Sequence, residues 1–251
     1  MEAAASTLAE RSRWMEAMAG PAVGCGILFL IHGLSDAGLL YWNAGLHPRD
    51  LGGFWRAWTF PLLHGHWQHL VSNLGPLMVM GTILSRVYPQ LAGAFFLRLY
   101  AIHGVLAWVL GAPGSTHVGA SGLVYGLAAF LFLSGLLRRT RPLMAVSLLI
   151  IFLYGGLVWG LLPQEGPVSW TGHLAGALAG LGLAVYYRRQ GPQKSYYPWE
   201  LEEDVETSSE DDPDYYWLQV PTVWPPKSPH KTAVSEPRLR WKYLYRRPPA
   251  P

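Results

Sequence analysis

Charge is almost missing from residues 17–187 of this 251-residue chain, and that deficit limits the folds open to it. The sequence as a whole is 51% hydrophobic and 14% charged, where soluble domains average about 25% charged residues. Six mainly apolar stretches stand out, at about 17–37, 67–86, 92–112, 119–137, 143–162 and 171–187. Each approaches the roughly 20 residues that a helix needs to cross a bilayer. Pro89, Pro113, Gly114, Pro142, Pro163 and Pro167 punctuate the gaps, as residues that end helices do. The expected class is an all-α polytopic membrane protein. It would have an N-terminal segment (1–16), a six-helix domain (17–187) and a polar tail (188–251).

Basic residues set the orientation of such a chain. Arg11, Arg13, Arg86, Arg138, Arg139, Arg141, Arg188 and Arg189 fall at alternate ends of the spans, and the opposite side carries only Arg49 and Arg56. Both termini are therefore expected in the cytosol, with Asp36 at the outer interface. Arg98 is expected to reach from the third span towards the cytosol. The first outer loop, about 38–66, is too long and too apolar for a plain connector. Its Tyr41, Trp42, Phe54, Trp55, Trp58 and Phe60 suit either an aromatic belt or a loop lying in the interface, and the two are compatible. Residues 1–16 mix Arg with Glu, unlike a transit peptide, and no signal-peptidase site follows; a bacterial inner membrane is the expected location. A net charge of +3 without a basic stripe argues against nucleic acid as a partner. The lone Cys25 gives neither a disulfide framework nor a zinc site.

Polar residues inside a membrane are costly and point to function. Their depth follows from the cytosolic arginines and a rise of about 1.5 Å per residue. Ser121 lies about 26 Å above Arg138, His173 about 22 Å above Arg188, and His69 and Asn73 about 26 and 20 Å above Arg86. Four polar side chains from three spans thus share one level near the outer rim. Serine needs a base to become a nucleophile, and neutral histidine serves near pH 7. His69 and Asn73 share a helix face and offer N–H donors suited to an oxyanion. Ser121 opens its helix, where backbone N–H groups lack partners. A plainer account also fits. Gly122 and Gly126, and Gly172, Gly176 and Gly180, have the spacing that lets membrane helices touch, and Ser121 could be one more small packing residue.

The ordered fragments "FWRAWTFPLLHG", "HGHWQHLVSN", "GASGLVYG" and "GHLAGALAG" resemble motifs of the rhomboid family of intramembrane serine proteases. The resemblance covers about residues 50–187; the first span, the third span and the tail contribute little to it. It implies a serine endopeptidase, a hydrolase acting by a Ser–His dyad, with Ser121 as nucleophile and His173 as general base and then acid. Tyr125 would pack against the His173 ring and orient it. His69, Asn73 and the Ser121 N–H would form the oxyanion hole, and Gly119 would shape the same turn. Trp55, Arg56 and His64 would hold the first loop. The fifth span, near Phe152 and Trp159, would be the mobile flank that admits substrate. No metal or organic cofactor is implied. The substrates would be single-pass or multi-pass membrane proteins, cut where their helices unwind easily.

The tail runs from an acidic stretch, "ELEEDVETSSEDDPD", to a basic, Pro- and Trp-rich end. No apolar period could build a core there, so disorder is expected. Contact of Arg238, Arg240, Lys242, Arg246 and Arg247 with anionic lipid, or of Trp199, Trp217, Trp224 and Trp241 with an unidentified partner, is the functional alternative. Two other functions compete with proteolysis. One is a catalytically silent relative that binds client proteins; the other is a small transporter, which would call for internal repeats.

Overall fold

The computed structural model describes residues 2–40, 43–163 and 169–193. Tyr41, Trp42, Pro167 and the tail from residue 194 onwards, with its basic and tryptophan-rich segments, lie outside the described residues. Six α-helices run in order: α1 Glu2–Asp36, α2 Trp67–Val87, α3 Ala92–Leu110, α4 Ser121–Arg138, α5 Arg141–Tyr154 and α6 Trp170–Tyr186. No strand occurs among the described residues. Five of the apolar segments have the length and composition to cross a membrane. The sixth, α6, is a 17-residue helix.

The helix limits fall close to the apolar stretches, with two departures. α1 begins at Glu2, so the N-terminal segment extends the first span as a continuous helix. The fifth span changes character. Its α-helix stops at Tyr154 and a 3₁₀ segment, Gly155–Leu161, completes it. The Gly155–Gly156 pair removes two side chains at the change of pitch, where the α-helix is least stable.

Close backbone approach builds the centre. A Cβ on Gly176 would overlap the Gly122 carbonyl, and one on Gly180 would overlap the Gly126 carbonyl. Glycine therefore seams α4 to α6 without intervening side chains, the small-residue packing of membrane helices. Phe95, Leu99, Leu127, Phe130 and Leu84 are wholly buried around this pair. α1 is fastened to α2 at both ends: Trp67 Nε1 donates to Asp36 Oδ2 at 3.0 Å, and Arg86 pairs with Glu10 at 2.5 Å.

The arginine-rich end is not uniformly solvated. Arg138 is 4% exposed. It donates to the main-chain carbonyls of Tyr187 (2.6 Å) and Gln190 (2.7 Å), and its guanidinium lies 5.0 Å from the centre of the Tyr88 ring. Its donors thereby clamp the chain leaving α6. Arg98 is exposed, and it donates to the Tyr187 hydroxyl.

The first loop is built rather than slack. Leu46 and His117 exchange two 2.9 Å main-chain hydrogen bonds. Short 3₁₀ turns follow at Phe54–Trp58 and Phe60–Leu62. Leu46, Ala57 and Phe60 are buried while Phe54, Trp55 and Trp58 stay exposed. Trp108 of α3 donates to the Asp50 carbonyl at 3.1 Å, and Tyr100 donates to that of Trp58. The exposed aromatic edge on a buried base is compatible with a loop seated in the interface.

Candidate active site

Ser121 is the first residue of α4, and His173 lies in the first turn of α6. The glycine seam brings these two helix starts together. His173 Nε2 stands 2.9 Å from Ser121 Oγ, and its Nδ1 stands 3.0 Å from the Gly160 carbonyl oxygen. A carbonyl can only accept, so Nδ1 carries the proton and donates. Nε2 then presents its lone pair, and the serine hydroxyl donates to it. This is the tautomer a general base requires. The orienting group is a main-chain atom of the 3₁₀ segment, with no carboxylate involved.

The Tyr125 ring lies 4.2 Å from that of His173 at an interplanar angle of 11°. Tyr125 is one helical turn beyond Ser121, so the residue that starts the turn and the one that ends it both face the imidazole. Gly160 is needed for this fit: a Cβ there would overlap the Tyr125 hydroxyl and lie 3.2 Å from His173 Nδ1.

The donors come from α2. Gly119 has φ +113°, a conformation that side chains disfavour, and a Cβ on it would stand 2.6 Å from His69 Cε1. The His69 ring thus lies directly against the turn that presents Ser121. The His69 main-chain N–H donates to His66 Nδ1 at 3.1 Å, capping α2. Asn73 is 4% exposed, and its Nδ2 has no hydrogen-bond partner among the described residues. The Ser121 N–H, at the helix start, has no acceptor within the helix. An amide, an imidazole and a backbone donor thus lie in the N-terminal parts of α2 and α4, a set able to receive a developing oxyanion.

Of the three first-loop residues, only His64 reaches this turn. His64 Nε2 accepts from the Ala120 N–H at 3.4 Å, and its ring meets that of His69 at 5.1 Å between centroids. Burial, with His69 and His32 nearby, holds His64 down to about 4, so it remains a neutral acceptor at ordinary pH. Arg56 pairs with Asp50 at 3.5 Å and lies 5.4 Å from the centre of the Trp55 ring. Trp55 and Arg56 stay within their loop and do not reach the dyad.

Several neighbours of the dyad carried no sequence signal. Ser169 caps α6, accepting from the Gly172 N–H at 3.0 Å. The same hydroxyl meets His117 Nδ1, while His117 Nε2 lies 2.7 Å from Ser115 Oγ. His117 therefore couples the loop leading to Ser121 with the cap of the helix that carries His173. Burial, and His47 beyond it, hold His117 below the ordinary histidine range. His103 of α3 is wholly buried against Gly122, where a Cβ would overlap its ring. A deeply placed histidine and a cap built from two loops need tertiary distances to be recognised. Among the described residues no group of His, Cys, Asp or Glu is arranged to hold a metal.

Sequence comparison extends the resemblance. Residues 51–190 match the Rhomboid domain family model. An uncharacterized protein of Mycobacterium tuberculosis is 37% identical over 150 residues, 57% of this chain and 62% of that protein. Mouse rhomboid-related protein 2 is 30% identical over 159 residues, 59% of this chain and 53% of the relative. The chloroplastic rhomboid-like protein 11 of Arabidopsis thaliana is 29% identical over 169 residues, 60% of this chain and 56% of the relative. The chain thus spans between half and two thirds of the length of these relatives. With the family model covering more than half of the sequence and several apolar helices of membrane-crossing length, the chain belongs to the rhomboid family and is an integral membrane protein.

Proposed function

We propose that this protein is an intramembrane serine endopeptidase that cleaves transmembrane segments of other membrane proteins. The observation that carries the reading is the Ser121–His173 hydrogen bond with His173 Nδ1 engaged by the Gly160 carbonyl. Ser121 Oγ attacks the scissile carbonyl while His173 Nε2 takes its proton. His69, Asn73 and the Ser121 N–H receive the oxyanion. His173 then returns the proton to the leaving amine, and a water, activated by the same base, releases the acyl group from Ser121. Tyr125 holds the ring plane through both half-reactions, and Gly119 keeps the oxyanion turn open. Trp55, Arg56 and His64 hold the loop that backs that turn. No step calls for a metal or cofactor.

The arginine distribution supports cytosolic termini, with the site opening on the opposite face of a bacterial inner membrane. Substrates would be membrane proteins whose helices unwind near the cut. A small or helix-breaking residue there lowers the cost of exposing an extended backbone. The silent-relative reading lacks a specific observation in its favour, since serine and histidine are both present and in contact.

The test is cleavage of a transmembrane reporter by purified protein in detergent, beside Ser121→Ala and His173→Ala. The expected result is cleavage by the wild type and none by either folded variant. A variant cutting at the wild-type rate would remove the dyad assignment. Absence of cleavage, together with failure of a fluorophosphonate to label Ser121, would favour the client-binding relative.

A further inference from the structure

α6 carries small residues on two faces, and only one of them is explained by helix contact. Gly176 and Gly180 meet the backbone of α4, but a Cβ on Gly182 would meet nothing within 4 Å. Gly182 opens instead onto a groove of about 320 Å³ between α3 and α6. On α3 the groove is lined by Arg98, Ile102 and Leu106, and on α6 by Leu178, Gly182 and Tyr186. Each set recurs every four residues, so two facing stripes run along the groove for about 12 Å. They are hydrocarbon except at one end, where Arg98 stands. Tyr186 also borders a second cavity of about 390 Å³, which Arg188 and Arg189 line.

The cation at that end is set in place. Arg98 donates to the Tyr187 hydroxyl and lies 5.6 Å and 5.5 Å from the Tyr186 and Tyr187 ring centres. No carboxylate pairs with it among the described residues. A guanidinium has five N–H donors in a fork suited to phosphate, and one is spoken for here. The space left at Gly182, where a Cβ would meet nothing within 4 Å, is open to an acyl chain.

We propose that the α3–α6 groove binds one anionic phospholipid of the arginine-side leaflet. Its phosphate sits on Arg98, with Arg188 and Arg189 at the headgroup. Its acyl chain lies along Ile102, Leu106 and Leu178 in the space left by Gly182. The proposal stands independently of the proteolytic reading.

Native mass spectrometry of the full chain tests it. The protein is released from mild detergent containing equal amounts of phosphatidylglycerol and phosphatidylcholine. The wild type is expected to keep one phosphatidylglycerol in about five- to tenfold preference. Gly182→Leu, which fills the groove without changing charge, should lower retention of both lipids. Gly182→Ala should give an intermediate loss and serves if the leucine variant does not fold. Arg98→Gln should abolish the preference while leaving chain binding. Millimolar inorganic phosphate should not displace the lipid. Equal retention of the two lipids by the wild type would overturn the proposal. So would unchanged phosphatidylglycerol retention in both the Gly182 and Arg98 variants. A shift from monomer to dimer, or the reverse, in Gly182→Leu at constant lipid retention would make a second copy of the chain the occupant and overturn it as well.

Discussion

α4 and α5 are neighbours in sequence and nearly opposite in environment. In α4, 56% of the span is buried; in the Arg141–Leu161 span the figure is 17%. α4 is held by α6, α2 and α5, whereas α5 leans chiefly on α4. Phe152 is 85% exposed and Trp159 69% exposed. The residues assigned to chemistry start helices in the dense half, where packing fixes rotamers. The sparse half contributes one atom to the dyad, the Gly160 carbonyl. Precision and looseness are thus separated along the chain, and at the dyad they meet in one hydrogen bond.

The contrast is most easily broken in the dense half. Gly176→Leu forces a side chain into the Gly122 carbonyl, and the expected cost exceeds about 4 kcal/mol. It should appear as loss of folded protein in detergent thermal unfolding; a wild-type midpoint would show that the α4–α6 seam is not tight. Gly160→Val strikes the junction itself. It should lower reporter cleavage by about 100-fold while the unfolding midpoint stays close to wild type, because it displaces the Tyr125 hydroxyl and the His173 ring rather than the core. Equal loss of stability and activity would place Gly160 in the rigid half.

Acid sharpens the comparison from the loop side. His64 is held down to about 4 by burial and its histidine neighbours, against about 6.5 when unfolded. Between these values the unfolded chain binds a proton that the folded chain refuses, so stability falls as pH drops from about 6.5 to about 4 and levels off below. His64→Gln should make a plot of midpoint against pH shallower over that window; an unchanged slope would assign the acid sensitivity elsewhere. The smallest effect is expected at Phe152. Phe152→Ala should shift stability by less than about 0.5 kcal/mol and leave cleavage unchanged or faster. A large destabilisation would contradict the sparse packing of α5.

The spans were legible because apolar length is a local property, and helix-end residues mark where it stops. Ser121, His173, His69 and Asn73 could be aligned because helical rise converts residue number into depth, and the chain brings the first pair within hydrogen-bond distance. Other features had no local trace. The partner of His173 Nδ1 is a peptide carbonyl on a glycine, and no side chain announces it. The burial of Arg138 depends on main-chain carbonyls that turn back after α6. The His117–Ser169 link needs two loops to meet. The break of the fifth span at Tyr154 is the intermediate case: the Gly155–Gly156 pair was visible, but only a pitch change exposes its meaning.

The Gly160 carbonyl has one more consequence. It belongs to the fifth span, which the rhomboid resemblance implies to be the wall that moves aside to admit a substrate helix. Displacing that wall would withdraw the acceptor from His173 Nδ1, so the imidazole would lose its fixed tautomer while the lateral opening is wide. Under the proposed function the arrangement would work as an interlock: the nucleophile would be armed only after the wall had returned, and a protein left ajar would spend no chemistry on passing lipid or water.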